Sequence, residues 1–234
     1  MKKVIELLKA YLLDLLRTPI EIFYGLLLTL GFLVLTAFIL NQGAKAEIIA
    51  SYSVFVVSYA AISAVAYSIT MEKENGLYRM YKSSKLSKTE YVAEKVVMAL
   101  LPIFFSLIVV VIGYVASNIV ISALIFPILL ISALAHAGIG LIFGSFFETH
   151  SEMQKAITLF LFGMFFLAPV FYSPESLPDF VLTLQRAIPL TYGIEAMRSV
   201  MVDGSGISGI WSEIFLLSIL SIGSFLIGYR RLEF

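Results

Sequence analysis

The sequence predicts an all-α polytopic membrane protein in a single domain over residues 1–234. Its expected parts are six transmembrane helices, an N-terminal amphipathic interfacial helix, and short exoplasmic helices between spans five and six. Three observations predict this. The chain is 60% hydrophobic with a mean hydropathy of +0.97. Only 14% of its residues are charged, against about 25% in a soluble domain, too few to cover a water-facing surface. Six blocks, at 22–40, 48–69, 96–116, 119–147, 156–172 and 211–229, approach or exceed the length of a spanning helix, about 20 mostly apolar residues.

Residues 1–18 have a different pattern. Val4, Ile5, Leu8, Leu12, Leu15 and Leu16 recur at helical spacing, with Lys2, Lys3, Glu6, Lys9, Asp14 and Arg17 largely opposite them. Such a helix suits the headgroup plane, and Thr18-Pro19 ends it. The apolar block that follows runs too far for a signal peptide and reads as a retained span. The block at 119–147 is long for one span, so a tilt or a kink at Pro127 is expected. In it His136, Gly140 and Gly144 are spaced by four and share a face. Glycines so placed let a neighbouring helix approach closely. After the fifth block, Pro174, Pro178 and Pro189 interrupt the segment 173–210. Helical patterns at 179–187 and 191–202 lie between them. Phe180, Leu182, Leu184 and Ile188 are more apolar than a solvated loop requires, which fits half-buried helices dipping toward the membrane.

An even number of spans puts both termini on one side. Thirteen of the sixteen Lys and Arg residues fall on that side, and only Lys45, Arg186 and Arg198 on the other. The positive-inside rule therefore places both termini in the cytoplasm of a plasma (inner) membrane protein. With them goes a charged island at 71–95, which carries Lys73, Arg79, Lys82, Lys85, Lys88 and Lys95. The island is expected to lie in water, as a surface on which another protein acts.

Several chemistries are excluded. Zero net charge argues against a nucleic-acid partner. The absence of cysteine removes thiolate metal sites and Cys nucleophiles. No Walker loop and no G-x-S-x-G elbow occur. Ser145 and His150 do not make a protease, because His150 sits at the cytoplasmic end of its span with no partner motif. His136 reads as a hydrogen-bonding residue in helix packing. No Asp, Lys or Arg lies mid-span and Glu213 is near an end, so ion coupling lacks its usual buried charges. A self-sufficient secondary transporter or channel is the alternative function, and a membrane scaffold or intramembrane enzyme a further one. An energy source outside the chain fits better and directs attention to the island.

Glu72, Glu74, Gly76, Leu77, Met80, Leu86, Ser87 and Lys88 in the island form one pattern. Leu177-Pro178, Pro189-Leu190-Thr191-Tyr192, Glu195 and Arg198 form a second. Together, at these span boundaries, they resemble the membrane subunits of type-2 ABC exporters. Lys85 stands where that family carries a proline. The resemblance implies a pathway built by two six-span subunits, as a homodimer or heterodimer in the lipid membrane. Each subunit docks on a separate cytoplasmic ABC ATPase that binds ATP and Mg; this chain itself carries no cofactor, metal or catalytic residue.

The loop after span two would be the coupling helix. ATPase-coupling residues carried over are Glu72, Glu74, Gly76, Leu77, Tyr78, Arg79, Met80 and Tyr81. Leu77, Tyr78, Met80 and Tyr81 would make the docking contacts, with Arg79 and Lys82 as flanking charges. Aromatic and Met residues are typical of interfaces. Tyr52, Phe55, Tyr59 and Ser63 share a face of span two, and span five carries Phe162, Phe165, Phe166 and Pro169. The resemblance sets these spans at the dimer axis. Tyr52, Phe55, Tyr59, Phe162 and Phe166 would then line a pathway for an amphipathic, drug-like or lipid-like substrate, as in multidrug efflux. Lipid-facing or packing aromatics are the other reading. The exoplasmic cap is assigned Pro178, Pro189, Tyr192, Glu195 and Arg198. Glu195 and Arg198, three apart, are placed to pair and brace it.

Overall fold

The computed structural model describes residues 42–83, 86–116, 118–172 and 178–232. The interfacial segment 1–18, the first apolar block, Lys85 and Leu177 lie outside the described residues. The chain forms helices α1 (Gln42–Glu74), α2 (Leu77–Ser83), α3 (Lys88–Ala116), α4 (Ile125–Phe146), α5 (His150–Leu167), α6 (Asp179–Gln185), α7 (Pro189–Met201) and α8 (Trp211–Arg231). A short 3-10 turn, Ile207–Gly209, precedes α8. Among the described residues, three stretches are long and apolar enough to cross a membrane: Ala46–Glu74, Ile125–Phe146 and Trp211–Arg231.

Helix ends and apolar-block ends do not coincide, because lipid and capping are separate demands. α1 runs past residue 69 to Glu74 and stops at Asn75-Gly76. There Gly76 takes φ +73°, and its amide donates to the Lys73 carbonyl at 3.1 Å. That left-handed residue closes a helix and favours glycine. α3 begins at Lys88 because Ser87 and Glu90 form a capping box. The Glu90 amide donates to Ser87 Oγ at 3.2 Å, and the Ser87 amide donates to Glu90 Oε2 at 2.9 Å. α5 begins at His150, where Thr149 Oγ1 accepts the Glu152 amide at 3.3 Å. The described residues of the island at 71–95 are largely helical. They comprise the end of α1, the short α2 and the start of α3.

The block 119–147 is not one kinked helix. Asn118 has φ 55°, and α4 starts only at Ile125. Pro127 falls in the first turn of α4, where its missing amide would have had no partner. It starts the helix rather than bending it.

α1, α4 and α8 run in the same direction, side by side. Gly140 sits on Ile62 and Gly144 on Ile69, while Gly138 sits on Ser224 and Gly228 on Leu141. A Cβ on Gly140 would stand 2.5 Å from the Ile62 carbonyl oxygen, so α1 and α4 touch almost backbone to backbone. The close approach expected at Gly140 and Gly144 is thus made by α1. α3 and α5 run the other way. Lys88, at the start of α3, lies 4.6 Å from the ring centre of Tyr229 near the end of α8. Ser53, early in α1, meets the Tyr114 hydroxyl late in α3 at 3.3 Å.

Gly140→Leu forces these backbones apart and is expected to cost about 1–3 kcal/mol, as overpacking does. Thermal unfolding of the detergent-purified protein measures it. Gly163→Leu, with open space at its Cβ position, is expected to leave the transition unchanged.

α7 buries Leu190, Ile194 and Met197 against the helical core. α6 buries only Gln185 among its side chains, and Phe180 and Leu184 are exposed. Both short helices are thus partly buried, α6 through half-buried Val181 and Leu182 beside Gln185, and α7 more deeply.

Candidate functional site

The base of α1 carries three consecutive charged residues, Glu72, Lys73 and Glu74. Glu72 Oε1 accepts from Lys95 Nζ on α3, and Glu72 Oε2 accepts from the Tyr91 hydroxyl at 2.7 Å. Lys95 Nζ also lies 3.1 Å from Glu94 Oε2 and 4.7 Å from the Tyr91 ring centre. The Lys95 and Glu94 side chains are only 0% and 1% exposed. The expectation that the island's charges lie in water fails for this group. The reason is partial compensation: one ammonium between two carboxylates and beside a phenol ring offsets much of the cost of burial, while Glu94 Oε2 has no hydrogen-bond partner among the described residues.

Burial pushes the Glu94 carboxyl above its ordinary value, against the opposing pull of Lys95. Burial, then the Glu72 carboxylate, pushes the Tyr91 phenol up. Burial, with Glu72 and Glu94, raises Tyr81 to about 12. The Glu94 shift has a sign. A carboxyl whose folded value lies above its unfolded one adds stability below the ordinary value of 4.5. That stability is lost as pH rises through the raised value. Glu94→Gln is therefore expected to raise the unfolding temperature relative to the native chain at neutral and alkaline pH, with the difference shrinking at acid pH. A pH series of thermal unfolding checks this.

α2 is anchored on this cluster. Tyr78 is buried, edge-on to Tyr91 with ring centres 5.6 Å apart, and Lys73 Nζ lies 5.8 Å from the Tyr78 ring centre. Tyr81, half-buried, lies 6.2 Å from Tyr91. The other face of α2 is open. Leu77 is 38% and Met80 56% exposed, flanked by exposed Gly76, Arg79 and Lys82. The eight residues assigned to coupling thus divide. Glu72, Glu74, Tyr78 and part of Tyr81 are engaged within the chain, while Gly76, Leu77, Arg79 and Met80 face outward.

The aromatic residues assigned to the pathway are connected through ring contacts. Tyr52, Phe55 and Tyr59 form a ladder along α1, with centres 6.1 and 6.4 Å apart. Phe55 meets Phe165 of α5 at 4.8 Å, Phe165 meets Phe166 at 5.7 Å, and Phe162 meets Phe166 at 6.0 Å. Tyr52 is buried, whereas Tyr59, Phe162 and Phe166 are exposed. Ser63 is half-buried and Pro169 buried.

At the opposite end of the helices, Pro178 is the N-cap of α6 and Pro189 the first residue of α7. The Tyr192 hydroxyl donates to the Arg186 carbonyl at 2.6 Å. Arg198 does not pair with Glu195. Its Nε donates to Ser51 Oγ at 2.7 Å, and its Nη atoms donate to the Tyr172 and Val170 carbonyls at 3.2 and 3.4 Å. Carbonyls past the end of α5 have no helical donor, and a guanidinium fork serves two of them while reaching α1. Glu195 acts on Arg198 only through longer-range attraction. Its own carboxyl is raised by burial and then by Glu213.

Gln185 escaped the sequence reading. It is buried, and its Nε2 donates to the Leu167 carbonyl at 2.6 Å and the Tyr172 hydroxyl at 2.8 Å. Tyr91 and Glu94 escaped it too, and Lys95 was read as a solvated cation, because their spacing from Glu72 becomes a contact only when α1 and α3 meet. Ser87-x-x-Glu90 was a visible capping signal.

His136 is buried, and its Nδ1 bonds the Ser132 carbonyl at 2.7 Å within α4 rather than a neighbouring helix. Its Nε2 has no hydrogen-bond partner among the described residues. Ser145 Oγ donates to the Ile142 carbonyl at 2.7 Å, and the His150 ring stands edge-on to Tyr67 at 4.8 Å. Neither is arranged as a nucleophile–base pair.

No curated protein matches the chain in sequence. The family model described as ABC-2 type transporter matches residues 2–202, a stretch that holds the charged island, the aromatic surface and every helix from α1 to α7. With its apolar helices and its anchored α2, the chain belongs to the ABC-2 type transporter family, as a membrane permease component and not a catalytic enzyme in itself.

Proposed function

We propose that this permease is half of an ATP-driven export pathway. It has six spans, and the α2 region faces the cytoplasm of the plasma membrane together with both termini. It works as a homodimer or heterodimer, and each permease subunit seats its α2 on a separate ATPase that binds ATP and Mg. ATP-driven closure of the ATPases displaces α2 and alternates access to the pathway. The observation that carries this reading is the two-sided α2. One side is fastened to Tyr91, while Leu77 and Met80 are exposed on the same short helix as Arg79 and Lys82. A short helix with apolar side chains exposed among cations has the character of an interface. The exposed Tyr59, Phe162 and Phe166 support an amphipathic, drug-like or lipid-like substrate.

Reconstitution tests the reading. The chain is purified from its native membrane with whatever co-purifies, placed in liposomes, and given an NBD-labelled phospholipid and an amphipathic cationic dye. A co-purifying ABC ATPase and ATP-dependent movement of either probe are expected. Probe movement by the chain alone, driven by a proton or sodium gradient, would instead establish the secondary-transporter reading.

A further inference from the structure

Three consecutive residues at the base of α1 hold three different helices. Successive helical residues point about 100° apart, so three in a row face widely separated directions. Glu72 holds the start of α3 through Lys95 and Tyr91. Lys73 holds the end of α4, its Nζ donating to the Ser145 and Phe147 carbonyls at 3.1 and 3.0 Å. Glu74 holds the start of α5, where Oε1 accepts the His150 amide at 2.9 Å.

The signs fit the helix ends. An ammonium meets the carbonyl end of α4, and a carboxylate meets the amide end of α5. Lys73 also reaches Glu148 Oε1 at 3.0 Å, but the Glu148 side chain is 77% exposed against 7% for Lys73. The part-buried carbonyl bonds, rather than this exposed ion pair, hold Lys73 in place. Just beyond Glu74, Gly76 turns the chain into α2.

We infer that Glu72, Lys73 and Glu74 form a positioning hub that locks the α4–α5 turn, residues 147–149, to the base of α2. A displacement of α2 is then delivered to α4 and α5 as one body. The role in transport rests on the reading that α2 meets an ATPase. The lock itself is a property of this chain alone, so the two are tested separately.

The chain has no cysteine, so Lys82→Cys and Ser151→Cys place spin labels on exposed positions of α2 and α5 without background. In lipid nanodiscs the label distance is expected to be narrow in the otherwise native chain and in Glu148→Gln. It should broaden at least about twofold in Lys73→Met/Glu74→Ala, as expected when two elements lose their shared packing. Should the double variant fail to insert, Lys73→Met alone carries the same expectation. Lys73→Arg, which keeps charge and donors, is expected to restore the narrow distance. In the reconstituted complex, Lys73→Met is expected to hydrolyse ATP at the native rate. It should move the cationic dye at least about fivefold less per ATP, the scale of an allosteric coupling. An unchanged narrow distance in the variants, or broadening by Glu148→Gln alone, overturns the hub. A narrow native distance that responds as described, with no ATPase bound, keeps the hub and removes the functional reading.

Discussion

Replacing Lys95 with Met is expected to destabilise the protein by about 3–5 kcal/mol, the cost of removing one partner of a buried ion group. Lys95 is fully buried between Glu72 and Glu94. Its removal leaves two carboxylates beside each other, with Tyr91 as a donor to one of them. The measurements are thermal unfolding of the detergent-purified variant and its yield from the membrane. Adding Glu72→Gln and Glu94→Gln to Lys95→Met is expected to recover much of the loss, because the uncompensated anions are then gone. Were the island hydrated throughout, as its composition implies, Lys95→Met would cost about 0–1 kcal/mol, like any surface pair. A native-like unfolding temperature in the single variant would show that water reaches the group.

Met80→Glu is expected to abolish most of the association with the ATPase while leaving the unfolding temperature unchanged. Met80 is 56% exposed, so the folded chain leaves most of its side chain uncovered. An apolar hot spot replaced by a carboxylate costs at least about 2 kcal/mol of binding, which is about 30-fold in affinity. Co-purification and titration of the ATPase against nanodisc-held permease measure this. Tyr78→Asp is expected to behave in the opposite way. It buries a carboxylate beside Tyr91, near Glu72 and Glu94, and lowers stability before it can report on coupling. From sequence alone, Tyr78 and Met80 looked alike as docking residues. Binding that survives Met80→Glu would remove the outer face of α2 from the interface.

The aromatic residues teach a related point. Period-based reasoning placed Tyr52, Phe55 and Tyr59 on one helix face, and the ring ladder along α1 has that spacing. Whether such a face is packed or open depends on what stands opposite. Phe165 of α5 covers Phe55, while Tyr59 stays exposed. Arg198 gives the converse case. Its spacing from Glu195 allowed a local pair, yet its guanidinium goes to Ser51 and the carbonyls after α5. Those acceptors arrive from segments far away in sequence.

Composition and hydropathy determined that this is a helical membrane protein, and helical spacing marked Gly140 and Gly144 as a close helix contact. These follow from short-range quantities: side-chain transfer into lipid, helical period and the volume of glycine. The capping residues Gly76 and Ser87-x-x-Glu90 were legible for the same reason, since a cap is settled within a few residues. The charged island was legible as a place and not as a structure. Its composition places charge at 71–95, but burial of a charge depends on partners, and those of Lys95 and of Lys73 become neighbours only when α1, α3 and α4 assemble. Only the tertiary structure separated the island's inward charges from the outward face of α2, because solvation is set by what surrounds a group and not by the group itself.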